Sequence, residues 1–237
     1  MTEAPATLFT LPVAWDEMNV SEDWARVEPH LEVKPVPSSV AASLAIEHHY
    51  LHRRPPVSHA FGIFFRGMIV GVVTFGTPAS RHLQKSACPS DPALVIELNR
   101  LWVADIMPKN TESWFVSRAM KQLPPLIVVS YADTREQHYG YIYRALNFKY
   151  AGWTDMDRKT PRKDYIPLDP TAHTRDAFRG GYSHTVPRLP KVKYWLTTGT
   201  PAERRRLNKL AGWPSLDWHT NPPPIYAEKA IPVAVTA

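Results

Sequence analysis

The chain has 237 residues, of which 44% are hydrophobic, and a formal net charge of +6. This length suits one domain with an appendage, and this composition is that of a globular protein. A single cysteine, Cys88, excludes an internal disulfide framework and a zinc site built from several cysteines. No run approaches the roughly 18 apolar residues of a membrane span, and the first residues lack the pattern of a secretion signal. We therefore expect a cytoplasmic protein without a membrane partner.

Charge is unevenly distributed along the chain. Residues 1–36 carry two basic and seven acidic side chains, whereas residues 37–237 carry 26 basic and 15 acidic ones. Excess positive charge attracts polyanions, because neutralising their phosphates releases condensed counterions. The distribution is consistent equally with a nucleic-acid partner and with an ordinary solvated basic surface.

The first predicted elements are a helix and a hairpin. Serines open residues 38–50 as a helix, which two prolines end at Pro55–Pro56. Residues 59–76 alternate β-branched and aromatic residues around a turn at Arg66–Gly67, a pattern typical of a β-hairpin. Residues 77–92 contain prolines and mixed polarity, and we expect a loop there.

Strands and helices then alternate. Residues 93–103 form a β-rich run, a helix begins after Pro108, and residues 126–133 form an apolar run of strand length. Thr134–Asn147 is predicted as a short helix and residues 148–154 as a strand. This order predicts an α/β (α+β) fold, with a mixed central sheet flanked by helices and at least one parallel crossover.

The predicted elements divide the chain into three parts. Residues 1–36 are expected to form an N-terminal arm that packs by its aromatic side chains, and residues 37–155 the core. Residues 156–237 are rich in proline and arginine, and their only clear helix lies around Ala202–Leu210. Because this segment also carries tryptophans and tyrosines, we expect a basic C-terminal extension packed on the core.

The element order resembles the GCN5-related N-acetyltransferase fold. Four strings narrow the resemblance to the Mom proteins of Mu-like phages: HHYLHRRP (48–55), ELNRLWVAD (97–105), PKNTESWFVS (108–117) and SYADTREQHYGYIYRALNFKYAG (130–152). The resemblance implies a transferase-type enzyme that converts adenine in phage DNA to an N6-carbamoylmethyl derivative, which protects the DNA from restriction. It would act in the cytoplasm of the bacterial host.

One segment departs from ordinary acetyltransferases. Their fold binds the pyrophosphate of acyl-coenzyme A with a glycine-rich loop that opens a helix. This chain has Lys109-Asn110-Thr111-Glu112-Ser113 there, without glycine, and Glu112 would repel a phosphate. We therefore do not expect standard acetyl-coenzyme A binding. Asn99, Asn110 and Ser113 are candidates for binding another small-molecule donor, which the sequence does not identify, and helix capping is the alternative for the last two.

Five residues are candidates for the chemistry that the resemblance implies. His49 would act as base or metal ligand beside Tyr50, Arg100 would bind a phosphate, a cofactor or the flipped base, and Asp133 would polarise the adenine amine or bind a metal. Tyr143 would be a general acid. Each has a structural alternative: a helix C-cap for the histidines, an ion pair with Glu97 or Asp105 for Arg100, a helix N-cap for Asp133 and a core position for Tyr143.

We consider a metal centre because the added group is joined through a CH₂, which simple acyl transfer does not explain. The resemblance implies iron as the candidate metal. No ligand spacing such as HExxH occurs in the sequence, so His49 and Asp133 would have to be brought together by folding.

Cations beside aromatic residues are the candidates for duplex DNA binding. They are Arg53 and Arg54, Lys191 and Lys193, and the run Arg204, Arg205 and Arg206. A solvated basic helix is the alternative for that run. The sequence leaves the oligomeric state open, a homodimer included. Two rival functions also remain, an acyl-coenzyme A-dependent N-acetyltransferase of a small amine or protein, and a DNA-binding protein without catalysis.

Overall fold

The computed structural model describes residues 20–160, 162–168 and 177–223. These fall into two compact units. The first draws on Met1–Ser130, Ile142–Lys149 and Trp195–Pro214, and the second on Tyr131–Tyr141, Tyr150–Tyr194 and Ser215–Ala237. Within the described ranges, no helix is long and apolar enough to cross a membrane.

The described residues form both helices and strands. The α-helices are α1 (Trp24–Val27), α2 (Ser38–His48), α3 (Arg81–Ala87), α4 (Thr111–Lys121), α5 (Tyr141–Ala145), α6 (Ala177–Gly180) and α7 (Pro201–Leu210). The strands are β1 (Leu31–Pro35), β2 (His59–Phe65), β3 (Met68–Gly76), β4 (Val95–Val103), β5 (Ile127–Asp133), β6 (Lys149–Trp153), β7 (Lys163–Pro167), β8 (Tyr182–Pro187) and β9 (Lys191–Thr197). Short 3₁₀ turns lie at Glu28–His30, Pro92–Leu94 and Thr134–Glu136.

Seven strands form one sheet in the order β1-β2-β3-β4-β5-β9-β6, and β7 and β8 form a separate two-stranded sheet. Strands β1 to β4 pair antiparallel, whereas β4 and β5 pair parallel. A parallel pair needs a crossover, and α4 lies between these two strands in the sequence. The predicted mixed central sheet with flanking helices and a parallel crossover is confirmed.

The hairpin predicted for residues 59–76 is confirmed as β2 and β3. Its turn residues Arg66 and Gly67 have φ angles of 50° and 83°. Two successive positive φ angles match the type I′ turn, whose twist suits a two-residue hairpin. Helix α2 covers the sheet through buried Ala41 and Leu44, which belong to the same apolar cluster as Phe64.

The parallel pairing of β4 with β5 is short. It runs from Val95 opposite Ile127 to Glu97 opposite Val129. At the next position the Ser130 hydroxyl lies 2.9 Å from the Leu98 carbonyl and donates to it, so a side chain satisfies the backbone acceptor there. The two strands therefore separate where β4 continues into Asn99 and Arg100.

Two local predictions were wrong. The loop expected at residues 77–92 contains helix α3, because helix-forming residues lie between Pro78 and Pro89. The helix expected at Thr134–Asn147 is instead a 3₁₀ turn followed by α5. Left-handed backbone at Gln137 (φ 57°) and Gly140 (φ 85°) interrupts it. A Cβ at Gly140 would lie 2.3 Å from the Tyr194 ring, so glycine is required there.

The two terminal segments contribute strands to the sheet. Residues 31–35, within the predicted arm, form the edge strand β1, and residues 191–197, within the predicted extension, form β9 in the interior of the sheet order. Of the aromatic residues expected to pack the arm, Trp24 makes an edge-on contact with Trp114 at 6.0 Å. Phe9 and Trp15 lie outside the described residues. Helix α7 is confirmed, and Thr200 and Glu203 form its capping box.

Gly76 offers a test of how the segment after α2 is held against the sheet. A Cβ there would lie 1.9 Å from the Pro56 carbonyl oxygen, a backbone atom that cannot move freely. We expect Gly76→Ala to lower the free energy of unfolding by about 1 to 3 kcal/mol, as overpacking does. Chemical denaturation measures this. Gly180→Ala is the control and should change stability little, because a Cβ there would have no neighbouring atom of the described residues within 4 Å. Equal stability of the two variants would contradict the packing.

Candidate functional site

Arg100 lies on β4 beyond the point where β4 and β5 separate, opposite Thr74 of β3. One guanidinium nitrogen donates to the Asn99 carbonyl at 2.6 Å. The Nε atom is buried and has no hydrogen-bond partner among the described residues. Burial lowers the pKa of Arg100, an effect that nearby Tyr50 and Glu97 oppose and Arg53 reinforces. A poorly solvated guanidinium with an unused N–H is well suited to bind an anion or a polar ligand atom.

Asn99, the neighbour of Arg100, holds the chain that follows α2. Its carbonyl oxygen accepts the Thr74 hydroxyl at 2.6 Å, and its amide nitrogen donates to the Pro56 carbonyl at 2.8 Å. Both functional groups of the amide are thus used within the protein. The contacts assign Asn99 a structural task, and the donor-binding role expected for it stays a prediction.

His49 and Tyr50 follow directly on α2. His49 is the C-cap of that helix, which was its structural alternative, and its ring stacks on the Tyr50 ring at 4.3 Å. Its Nδ1 accepts the Leu51 amide hydrogen at 3.2 Å. A ring nitrogen that accepts cannot carry a proton, so this contact selects the neutral ring with its hydrogen on Nε2. Tyr50 is 40% exposed and contributes to the electrostatic environment of Arg100.

Tyr143 meets Ser130 at the separation of the two strands. Their hydroxyls are 2.8 Å apart. Serine has one proton, which Ser130 donates to Leu98, so the phenol donates to Ser130. Burial raises the pKa of Tyr143, and the nearby Glu97 adds to this. The phenol is therefore protonated at neutral pH, as a general acid must be, and its proton is shared with Ser130.

Asp133 belongs to the second unit, at the end of β5. Its carboxylate accepts the Arg135 amide hydrogen at 3.0 Å and so caps the following 3₁₀ turn, and it also binds Lys191 at 2.7 Å. The capping alternative is therefore realised. A catalytic role remains a prediction, and it would have to operate beside the Lys191 ammonium.

The residues predicted to bind DNA differ in their availability. Arg53, Arg54 and the three arginines of α7 (Arg204, Arg205, Arg206) are exposed. Lys191 is paired with Asp133, and burial lowers the pKa of Lys193, with Asp157 and Asp155 opposing that shift. Lys193 thus has acidic neighbours within the protein, and the exposed arginines are better placed to meet a phosphate.

A cavity of about 390 Å³ opens at the start of α4, where the small-molecule site was expected. Asn110 lines it and precedes the helix with φ 74°, a left-handed conformation that glycine usually supplies. Asp105, Lys109 and Glu112 line it as well. Ser113 is not part of the lining, and its hydroxyl donates to the Asn110 carbonyl at 3.0 Å. Asp105 was not predicted from the sequence as a residue of this site.

The residues that the structure describes do not fit a protein-bound iron centre. Across the described ranges, no group of three or more His, Cys, Asp or Glu side chains is arranged to hold a metal ion. The two predicted ligands also have other contacts, since His49 Nδ1 accepts a backbone amide hydrogen and Asp133 binds Lys191. We therefore assign no step of chemistry to iron.

A pH titration tests the burial of two tyrosines, Tyr143 and Tyr150. Burial raises the pKa of Tyr143 and raises that of Tyr150 to about 12. Both phenols should ionise after ordinary tyrosines, whose pKa is about 10. Because the folded state holds these protons more tightly, their contribution to stability is present below pH of about 10 and is lost as pH rises further. Tyrosinate absorbance should show a late phase that loses one tyrosine in Tyr143→Phe. An unchanged late phase would contradict the burial.

Comparison with known proteins gives a family and a fold. The model of the Mom protein family matches residues 30–192. The chain is 31% identical over 129 residues to the methylcarbamoylase mom of Escherichia phage Mu, an alignment that covers 52% of this chain and 54% of that protein. The chain thus spans about half the length of this relative.

N-acetyltransferases are among the solved structures that the chain resembles. An N-acetyltransferase from Staphylococcus aureus Mu50 is 14% identical, covering 70% of this chain and 98% of its own, at a TM-score of 0.40. An acetyltransferase from Bacillus subtilis in complex with CoA is 10% identical, covering 72% and 99%, at a TM-score of 0.40. Scores this low carry no argument about activity. The match to the family model over more than half of the chain does, however, decide its kinship: the chain belongs to the Mom protein family.

Proposed function

We propose that this chain is a phage DNA-modification enzyme that transfers a carbamoylmethyl group to N6 of adenine and so protects the DNA from restriction. The observation that carries the proposal is membership of the Mom family, supported by likeness to a methylcarbamoylase from phage Mu. Overall, one N6 hydrogen is replaced by CH₂C(O)NH₂. A new N–C bond forms, the N6 proton is lost, and the leaving group of the donor departs with the electron pair of the broken bond.

Arg100 is the residue we place against the substrate. Its buried Nε is available, and desolvation strengthens any hydrogen bond that it donates. Adenine presents ring-nitrogen acceptors, and an enzyme acting on N6 must take the base out of the stack. The protonated Tyr143 phenol, held by Ser130, is the proposed acid that assists departure of the donor's leaving group.

The cavity at the start of α4 is the proposed donor site. Asp105 and Glu112 outnumber Lys109 among its charged lining residues. Glu112 is also the acidic residue in the first turn of α4, where a carboxylate stabilises the helix end as a phosphate otherwise would. A neutral or cationic donor therefore suits this site better than a pyrophosphate.

Mass spectrometry of nucleosides tests the activity. Plasmid DNA from bacteria expressing the wild-type chain should yield a deoxyadenosine heavier by the carbamoylmethyl group. Asp133→Ala should lose this product. Asp91→Ala is a matched control, because Asp91 also caps a 3₁₀ turn by accepting the amide hydrogen two residues on, and it should retain the product. Unmodified DNA from a well-expressed, folded wild type would contradict the proposal.

Thermal unfolding tests the donor site. We expect acetyl-coenzyme A to leave the melting temperature unchanged, since a ligand stabilises a protein only to the extent that it binds the folded state. Glu112→Gln, which removes one acidic charge from the cavity, is measured beside the wild type as the matched variant. A rise of several degrees with wild-type protein that disappears in a variant of Asn110 would favour an acyl-coenzyme A-dependent enzyme instead.

A further inference from the structure

Strands β7 and β8 form a two-stranded sheet that is separate from the seven-stranded sheet. The strands pair antiparallel from Lys163 opposite Pro187 to Pro167 opposite Tyr182. We call residues 162–168 and 177–188 the ribbon. An isolated two-stranded ribbon is only marginally stable in water, so side chains must support it.

A network around Asp164 supports the ribbon. Arg188 binds Asp164 at 2.7 Å, and Arg135 lies 3.8 Å from the same carboxylate. The Arg188 amide hydrogen is also donated to the Arg162 carbonyl at 2.8 Å. Arg188 and Arg135 together neutralise the negative charge of Asp164.

Exposed cations without an ion pair in the described ranges give the ribbon a positive charge. Arg162 is paired with Asp155 at 3.0 Å, and Asp157 lies near Lys193. Lys159, beside the ribbon, and Lys163 and Arg179, within it, are exposed and have no ion pair among the described residues. Acidic side chains described in this segment thus have cationic neighbours already, while several cations face solvent. A second copy of this surface would be repelled, whereas a polyanion would be attracted.

Apolar side chains of the ribbon are exposed as well. Leu168 is 67% exposed and Tyr182 is 45% exposed, and the Tyr182 ring lies edge-on to Tyr165 at 4.8 Å. Exposed aromatic and aliphatic groups next to cations are the means by which proteins contact sugars and bases while holding phosphates. The major groove of B-DNA is wide enough to admit a two-stranded β-ribbon.

We infer that the ribbon is a duplex-DNA contact surface, with Lys159, Lys163 and Arg179 on phosphates and Leu168 and Tyr182 on the groove. This inference rests on the proposed function, because it names the surface that holds the same DNA substrate. The ribbon is a second DNA contact surface, in addition to the exposed arginines of α7.

Duplex binding at several salt concentrations tests the inference, with fluorescence anisotropy of a labelled DNA and the full chain. The variant Lys159→Gln/Lys163→Gln/Arg179→Gln should weaken binding equally for different sequences. It should also reduce the slope of log K against log salt by about 3, roughly one per lost phosphate contact. Tyr182→Ala should weaken binding several-fold with the slope unchanged. Circular dichroism checks that each variant is folded.

A matched control removes the same number of exposed cations elsewhere. Arg81→Gln/Lys85→Gln/Lys121→Gln changes α3 and α4, and it should retain most of the affinity and the slope. An equal loss in this control, unchanged binding by the ribbon variant, or a wild type that binds no duplex would each overturn the inference. A wild type that binds DNA through the ribbon but leaves it unmodified would reject the proposed function alone. Modification that persists with ribbon-independent binding would reject the inference alone.

Discussion

The separation of β4 from β5 is the constraint on which the site in the first unit depends. Parallel pairing ends at Glu97 and Val129, and the Ser130 hydroxyl then satisfies the Leu98 carbonyl. Loss of that hydrogen bond would cost about 0.5 to 1.5 kcal/mol, the usual net contribution of one hydrogen bond. The same hydroxyl accepts the Tyr143 phenol. One serine therefore stabilises the opening between the strands and orients the proposed acid.

The opening between β4 and β5 explains why β4 can carry the polar residues Asn99 and Arg100. In the middle of a continuous sheet Asn99 and Arg100 would be costly. Here Asn99 is satisfied by Thr74 and Pro56, and it fixes the segment that follows His49 and Tyr50. Arg100 is only partly satisfied, because its Nε is buried without a partner in the described part of the chain. Such a group reduces stability in the free protein and gains a bond when a ligand arrives.

The sequence predicted the elements with strong local patterns. Alternating residues around Arg66–Gly67 predicted the hairpin, and polar residues within the apolar run of β4 indicated a special position. Helix α3 was missed because its helix-forming residues lie between two prolines and carry little periodicity. The break before α5 depends on a left-handed Gln137 and on the fit of Gly140 against Tyr194, a contact between residues far apart in the sequence.

Long-range pairings explain the remaining differences. Nothing in the local sequence shows that Lys191 binds Asp133, or that Ser130 meets Tyr143, because these pairs form only when distant segments meet. Strand β9 was hidden for the same reason, since its place in the sheet follows from the topology and not from its own pattern. Ser130 did leave a signal, as a polar residue in the middle of the apolar run 126–133.

Arg100→Met tests the central claim most directly. If Arg100 serves to bind the substrate, an apolar residue of similar length should leave the melting temperature unchanged or raise it, because a partly buried charge whose Nε has no partner among the described residues is removed. The same variant should yield no modified deoxyadenosine when nucleosides from cellular DNA are weighed by mass spectrometry, while the exposed control Arg81→Met yields it normally. Full modification by Arg100→Met, or its loss only together with unfolding, would contradict the account.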